Sequence, residues 1–385
     1  MPDAPYLYFC TEWIWIGRGS LQNIATEAKK MDVEKALIIT DPGVHEAGVS
    51  AKVKGALEKG GIKVEIFSSV KPEPPLELAN ECAVLAKKEK VDLLVGLGGG
   101  SSMDTAKGAS IVMTNGGSVA DYFGMELTRK HGFPSFLIPT TAGTGAEVTR
   151  NAIFKDVKGK AKKVVVSRHT LPRAAIVDPE LTVTTPPRPT AYTGIDALGH
   201  AIESYMSKNA NPLSEMYSLK AIGLVHEYLP RAVKNGNDME ARENMALAAL
   251  CGGVSLVAGA GGIAATSYPV EGHFNVPHGM GNGIMMPYIV EYNAPANIPK
   301  AKKIAERFGI RVQGMSDDMV VKNLVDEIFR LLKDVGLPAK LGEMGVKADA
   351  IPMLVNESFQ LERLIKSNPA ELTPKSIEEI YRKAM

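Results

Sequence analysis

Apolar and polar positions in the first half of the chain alternate between two periods. Short apolar runs, KALIITD (35–41), VEIFSS (63–68), VDLLVGLGGG (91–100), SFLIPTTAGTG (135–145) and AAIVDP (174–179), read as strands. Between them, LQNIATEAKK (21–30) and PLELANECAVLAKKEK (75–90) space their apolar residues three and four apart, as amphipathic helices do. Strand and helix in turn predict a mostly parallel sheet covered by helices. From about residue 190 the strand pattern stops. Helical patterns fill 194–207, 213–230, 240–262, 279–293, 300–308, 320–335 and 369–384. The stretch TTPPRPT (184–190) reads as a hinge, because its prolines suit neither strand nor helix interior. The pattern predicts an α/β domain over 1–187 and an all-helical domain over 188–385, with no internal repeat.

Composition narrows the class. A chain of 385 residues has room for two cores, and 45% hydrophobic with 23% charged residues is ordinary for a globular protein. A net charge of +1 provides no field to attract nucleic acid or a membrane surface. The start, MPDAPYLYFCTEW, lacks the basic-then-apolar order of a secretory signal. Cys10, Cys82 and Cys251 are sparse, odd in number and without metal-ligand spacing, which fits a reducing compartment. A cytoplasmic location is the expectation.

Chemistry concentrates at the ends of the strands. GLGGGSSMDTAKG (96–108) follows a strand and opens a helix. Gly98, Gly99 and Gly100 let backbone amides approach an anion, Ser101 and Ser102 supply hydroxyls and helix caps, and the helix start favours phosphate. Asp104 in the first turn suits the same dipole. The plainer alternative is a tight turn needing glycine for geometry alone. No GK[ST] follows, so this is not a Walker loop. Asp41 ends a strand, where a carboxylate accepts hydrogen bonds from ribose hydroxyls and repels a 2′-phosphate. Its DPG context is also good turn chemistry, and the two roles coexist. PTTAGTGAEVT (139–149) adds the hydroxyls of Thr140, Thr141 and Thr144, between glycines that permit close approach of a ligand.

A third constellation lies in the helical half. Asp196 and His200 are four apart on a predicted helix and share one face. His278, after Pro277, stands ready to close a site with them. Such oxygen and nitrogen ligands suit Fe(II), Zn(II) or Mn(II), which would polarise a substrate oxygen. The bland reading of an Asp–His pair is a hydrogen bond on a helix surface.

GGGSSMDTAKG, PTTAGTGAEVT, IVDPELT, TGIDALGHAIESY and NVPHGMGNGIMMPYIVEYN, in this order, resemble the iron-containing (group III) alcohol dehydrogenases over nearly the full length. The resemblance implies an N-terminal Rossmann-like dinucleotide-binding domain, an all-helical C-terminal domain and a cleft between them, the architecture shared with dehydroquinate synthase-like proteins. It implies NAD(P)-dependent interconversion of an alcohol and an aldehyde or ketone. By position, the family's diphosphate loop falls on Gly98, Gly99, Gly100 and Ser101, its nicotinamide-side threonines on Thr140, Thr141 and Thr144, a cofactor lysine on or near Lys162, and its cofactor-selecting acid on Asp41. With an acid at 41, NAD(H) is the expected cofactor. The family's metal ligands fall on Asp196, His200 and His278.

The departures lie in GGIAATSYPVEGHFNVPHG (261–279). Counting back from His278, the usual third metal histidine falls on Ala264 and a further active-site histidine on Tyr268. Three arrangements stay open. Asp196, His200 and His278 hold the metal alone; Glu271 or His273 replaces the lost ligand; or the metal is gone and the Tyr268 hydroxyl polarises the carbonyl as a general acid. A weakened or absent metal is the expectation, with Tyr268, His278 and His273 as the catalytic candidates. A metal-dependent lyase or cyclase of the dehydroquinate synthase-like superfamily and a non-catalytic NAD-binding protein are the alternatives to an oxidoreductase. Phe154, Leu256, Tyr268, His273 and Phe274 are the substrate-pocket candidates for a small alcohol or aldehyde, and Arg150 a candidate for an anionic group on it. The apolar YLYFCTEWIWIG (6–17) suggests an edge strand covered in a homo-oligomer, a dimer or larger.

Overall fold

The computed structural model describes residues 5–156 and 161–385. They form two compact units. One comprises Phe9–Thr141 and Gly145–Thr185; the other is built on Pro186–Met385, with 5–8 and Ala142–Thr144.

The first unit is α/β. Its strands are β1 (Trp13–Ile16), β2 (Lys35–Ile39), β3 (Lys63–Phe67), β4 (Leu93–Gly98), β5 (Gly124–Met125), β6 (Ser135–Pro139), β7 (Asn151–Asp156), β8 (Ala161–Val166) and β9 (Ala174–Val177). Six of them make a parallel sheet in the order β1-β9-β6-β4-β2-β3. Successive residues of the inner strands leave on opposite faces, and both faces are dry. Leu37, Ile39, Leu94 and Leu137 pack with Ala79, Cys82, Met103 and Ala106, from α4 (Leu76–Glu89) and α5 (Gly100–Asn115). Ala36, Ile38, Leu93, Val95 and Phe136 pack with Ile24, Val53 and Leu57, from α1 (Ile24–Lys29) and α3 (Val49–Lys59). Burial on both faces explains the near-continuous apolar runs in these strands. The short α2 (Pro42–Glu46) follows β2.

Strand order also places the binding crevice. The chain leaves β2 for β3 on one side, then crosses back to β4 and builds outward through β6 on the other. The order therefore reverses between β2 and β4, and ligands of open parallel sheets bind beyond the carboxyl ends of the strands at such a point. Asp41 and Gly98–Gly100 stand at those two ends.

The second unit is helical: α6 (Pro187–Met206), α7 (Pro212–Lys234), α8 (Met239–Ser255), α9 (Gly262–Phe274), α10 (His278–Asn293), α11 (Ile298–Arg307), α12 (Asp317–Asp334), α13 (Ile351–Gln360), α14 (Glu362–Ser367) and α15 (Pro374–Ala384). One core runs through it, from Ile195 and Leu198 of α6 to Met285 and Ile289 of α10 and Ile377 of α15. Among the described residues no single helix is long and apolar enough to cross a membrane.

Several elements differ from the sequence pattern. The expected helix 240–262 ends at Ser255; Gly259, at φ +85°, breaks the chain, and α9 starts at Gly262. The prolines of 184–190 do not act only as breakers, because Pro187 and Pro189 lie in the first turn of α6, where the missing N–H costs nothing. Residues 124–166 hold a second sheet, β5-β8-β7, that the pattern did not reveal. Of the expected N-terminal strand only Trp13–Ile16 forms, at the edge of the main sheet.

Candidate active site

The dinucleotide side is built where β2 and β4 end. Asp41 is the N-cap of α2, and its Oδ1 accepts a 3.0 Å hydrogen bond from the Val44 amide. Gly98 has φ +141°, and a Cβ there would lie 2.7 Å from Ser102 Oγ and 3.0 Å from Asp41 Oδ2. So only glycine brings the loop this close to Asp41. Gly99 is different: its φ is −78° and an added Cβ would meet only Thr141, in ordinary contact at 3.5 Å. The protein itself leaves open space there.

Gly99 caps α5 with no side-chain hydrogen bond, so Ser101 and Ser102 do not act as the caps expected of them. The first amides of α5 are left without a side-chain acceptor, and Ser102 Oγ is buried without a hydrogen-bond partner. A diphosphate fits these donors.

Thr140 continues the ladder, its amide donating to the Gly98 carbonyl at 3.0 Å, and its own carbonyl accepts from Thr185 Oγ1 at 2.7 Å. Thr141 stands beside Gly99. Thr144 belongs to Ala142–Thr144, grouped with the helical unit; there a Cβ on Gly143 would lie 2.7 Å from Thr193.

Two expected cofactor residues have other partners. Asp104 faces β7, its Oδ2 accepting from the Ile153 amide at 3.0 Å, which makes it a fastening between α5 and β7. Lys162 Nζ lies 3.1 Å from Glu73. The sequence reading did not single out Lys107. Lys107 is fully buried and donates to the carbonyls of Thr149 (2.9 Å) and Asn151 (2.8 Å), fixing the end of the threonine loop. Burial pushes its pKa down, against Asp104 and Glu147, which raise it.

The metal constellation assembles within the helical unit. Asp196 and His200 come from α6 and His278 from the first residue of α10. Their ligand atoms lie within 4.8 Å of one another. Asp196 Oδ1 is 3.5 Å from His200 Nε2 and 3.4 Å from His278 Nε2. Glycine permits this: a Cβ on Gly279 would lie 2.0 Å from the Tyr192 carbonyl oxygen and 3.0 Å from the Asp196 Cβ. Burial holds the pKa of His200 down, opposed by Asp196 and assisted by His278. A neutral imidazole is the ligating form. The set of one carboxylate and two imidazoles fits a divalent Fe, Zn or Mn ion.

Around it, Asn282 Nδ2 donates to Asp196 Oδ1 at 2.7 Å, and Ser267 Oγ donates to Asn282 Oδ1 at 2.6 Å. The fully buried Glu271 lies 2.9 Å from His278 Nδ1.

Ala264, Tyr268 and Glu271 are four and three apart on α9 and share a face. The Ala264 methyl packs with Ala265, Tyr268 and Leu364, and its amide donates to Glu203 Oε1 at 3.1 Å. Glu203 is buried one turn beyond His200, and burial pushes its pKa up to about 7. The Tyr268 ring lies 5.6 Å from that of His278.

His273 points away from this cluster. Its Nε2 pairs with both carboxylate oxygens of Glu357, at 2.9 and 3.0 Å. Glu271 approaches His278 at Nδ1, the nitrogen opposite the one that faces Asp196. Phe154 is corrected as a substrate-pocket candidate, and Arg150 follows the salt-bridged alternative to anion binding. Phe154 is core, packed beneath Gly108. Arg150 is paired with Glu126 at 3.2 Å and stacked on Phe9. Leu256 and Phe274 are partly buried.

Comparison with known proteins agrees with this geometry. The model of the iron-containing alcohol dehydrogenases matches residues 11–179, and that of the C-terminal domain of the Fe-containing alcohol dehydrogenase family matches 190–385. The NAD-dependent methanol dehydrogenase of Bacillus methanolicus is 38% identical, the match covering 96% of this chain and 97% of that protein. The lactaldehyde reductase of Escherichia coli K12 is 34% identical over 97% of this chain and 98% of its own. The crystal structure of a 1,3-propanediol oxidoreductase superposes with a TM-score of 0.96 at 33% identity, covering 99% of this chain and all of that one. A crevice at the strand-order reversal, a carboxylate–imidazole cluster and full-length likeness lead to one conclusion: the chain belongs to the iron-containing alcohol dehydrogenase family.

Proposed function

We propose that this enzyme exchanges a hydride between NAD(H) and a small alcohol–aldehyde pair through the residues described above. The observation that carries the reading is the presence in one chain of an uncapped glycine-rich helix start beside Asp41 and of the converging Asp196, His200 and His278. The first binds a dinucleotide, with its diphosphate at Gly98–Ser101 and its adenosine ribose at Asp41. The second faces a reacting oxygen.

In the reducing direction bound NADH would supply a hydride to the carbonyl carbon, and the oxygen would gain negative charge. That charge must be stabilised in place. Asp196, His200 and His278 would hold a divalent ion, which supplies Lewis-acid polarisation when bound. Tyr268 donates the proton that completes the alcohol, as a positioned phenol can in general acid catalysis. Thr140 and Thr141 place the nicotinamide half. In oxidation the same groups act in reverse.

The metal is held less firmly than by four protein ligands, because a methyl group stands at 264. Three protein ligands still make a catalytic site, with the fourth place open to water or substrate. The protein works as a homo-oligomer, in which the edge strand β1, with Trp15 and Ile16 exposed, is covered.

The test combines chelation with substitution. After chelation, NADH-dependent aldehyde reduction should fall and return with added Fe(II) or Zn(II), and Tyr268→Phe should lower kcat by about 100- to 10,000-fold. Activity indifferent both to chelation and to Tyr268→Phe would refute this assignment of roles.

A further inference from the structure

Glu271 is a carboxylate with no exposed surface, placed against the nitrogen of His278 that faces away from Asp196 and His200. Its Oε1 lies within hydrogen-bond distance of His278 Nδ1, at 2.9 Å, and as a carboxylate it accepts the imidazole hydrogen there. The other side of the ring faces Asn282 and Asp196. Ser267 Oγ donates to Asn282 Oδ1, which turns the Asn282 amide nitrogen toward Asp196 Oδ1 at 2.7 Å and His278 Nε2 at 3.3 Å. That nitrogen donates to Asp196 Oδ1, which itself lies 3.4 Å from Nε2. Of the two sides it is the Glu271 contact that calls for the hydrogen on Nδ1, which leaves Nε2 to the Asp196 side.

The backbone makes room for the arrangement. On α10, one turn after His278, Gly281 lies under Glu271, and a Cβ there would come within 2.9 Å of Glu271 Oε1 and 3.0 Å of its Cγ. Burying a carboxylate is costly unless something is gained by its hydrogen bond.

We propose that Glu271 is a positioning residue, which locks His278 in the Nδ1–H tautomer and aims a more basic Nε2 at the metal centre where position 264 offers no ligand. The proposal rests on the reading of Asp196, His200 and His278 as ligands. A carboxylate behind a ligating imidazole fixes its orientation and strengthens it as a donor. With three protein ligands, the quality of each counts for more.

The tautomer can be read without metal, from long-range nitrogen–proton correlation spectra of histidine-labelled protein. The chain has seven histidines, and His278→Asn assigns the signal. Wild-type His278 should be protonated at Nδ1. Glu271→Met, similar in volume but without a strong acceptor, should lose that preference. It should bind Co(II) about 10- to 100-fold more weakly in chelator competition, with NADH affinity unchanged. Glu271→Gln keeps a carbonyl acceptor and should retain the tautomer with intermediate Co(II) affinity. A wild-type protein protonated at Nε2, or a Met variant with tautomer and Co(II) affinity intact, would overturn the proposal. Wild-type protein that binds no Co(II) while Glu271→Met still shifts the tautomer would remove the metal reading and leave the positioning role standing. Should the Met variant not fold, the wild-type tautomer decides alone.

Discussion

Asp41 does two jobs with one side chain: Oδ1 caps α2 and Oδ2 faces Gly98. Asp41→Gly separates them, since glycine at an N-cap costs only a few tenths of a kcal/mol. The variant should fold as wild type and move from NADH toward NADPH in kcat/KM. Wild-type kinetics as good with NADPH as with NADH would remove the assignment. Glu147 offers a second residue-scale test. Burial pushes its carboxyl up to about 7, opposed by its own backbone amide and by Lys107. With its folded pKa raised above the unfolded value, the stability linked to its protonation is present at acid pH and lost as pH rises through about 7. Glu147→Gln escapes that loss. It should match wild type near pH 5 and exceed it by up to about 3 kcal/mol at pH 8 in denaturant unfolding. A constant difference across that range would show that the carboxyl is ionised throughout.

At the scale of elements, glycines decide how closely backbones approach. Gly279 brings α10 onto α6, so that His278 meets Asp196. Because a Cβ there would collide with the Tyr192 carbonyl, Gly279→Ala should cost at least about 1–3 kcal/mol and weaken metal binding. A melting temperature equal to wild type would show that α10 moves freely. Gly99 makes the opposite case. Its surroundings accept a side chain, so Gly99→Val should keep its melting temperature and lose NADH binding, whereas Gly98→Val should lose both. Equal NADH affinity in Gly99→Val by calorimetry would mean that no diphosphate lies there. The sequence made the main sheet legible because its inner strands are buried on both faces and read as unbroken apolar runs. It hid α9, whose GIAATSYPVEGHF is small, buried on nearly every side and interrupted by Pro269, so no 3.6-residue period stands out. The antiparallel β7–β8 pair was hidden because Lys155, Asp156, Lys162 and Lys163 interrupt the apolar pattern of its strands. The clustering of Asp196, His200 and His278 was legible from their spacing and motif. The roles of Glu271, Asn282 and Ser267 were not, because their partners are set by how α9 meets α10.

For the whole molecule, the edge of the main sheet is the exposed feature. β1 ends the sheet with Trp15 39% and Ile16 42% accessible, a surface that isolated chains seldom leave uncovered. Sedimentation should show an assembly of at least two chains; a single 41.2 kDa species at working concentration would contradict it. The central claim is hydride exchange with a small aldehyde or alcohol through NAD(H), and family membership alone does not test it on this chain, which has Ala264 and Tyr268 in its site. The most direct measurement is the steady-state consumption of NADH by Fe(II)- or Zn(II)-reconstituted enzyme with a panel of short aldehydes, run beside NADPH and beside His278→Ala. The account predicts NADH turnover with at least one aldehyde, a lower kcat/KM with NADPH and a deep loss in His278→Ala. No NADH consumption with any aldehyde, by reconstituted protein that binds NADH, would contradict it.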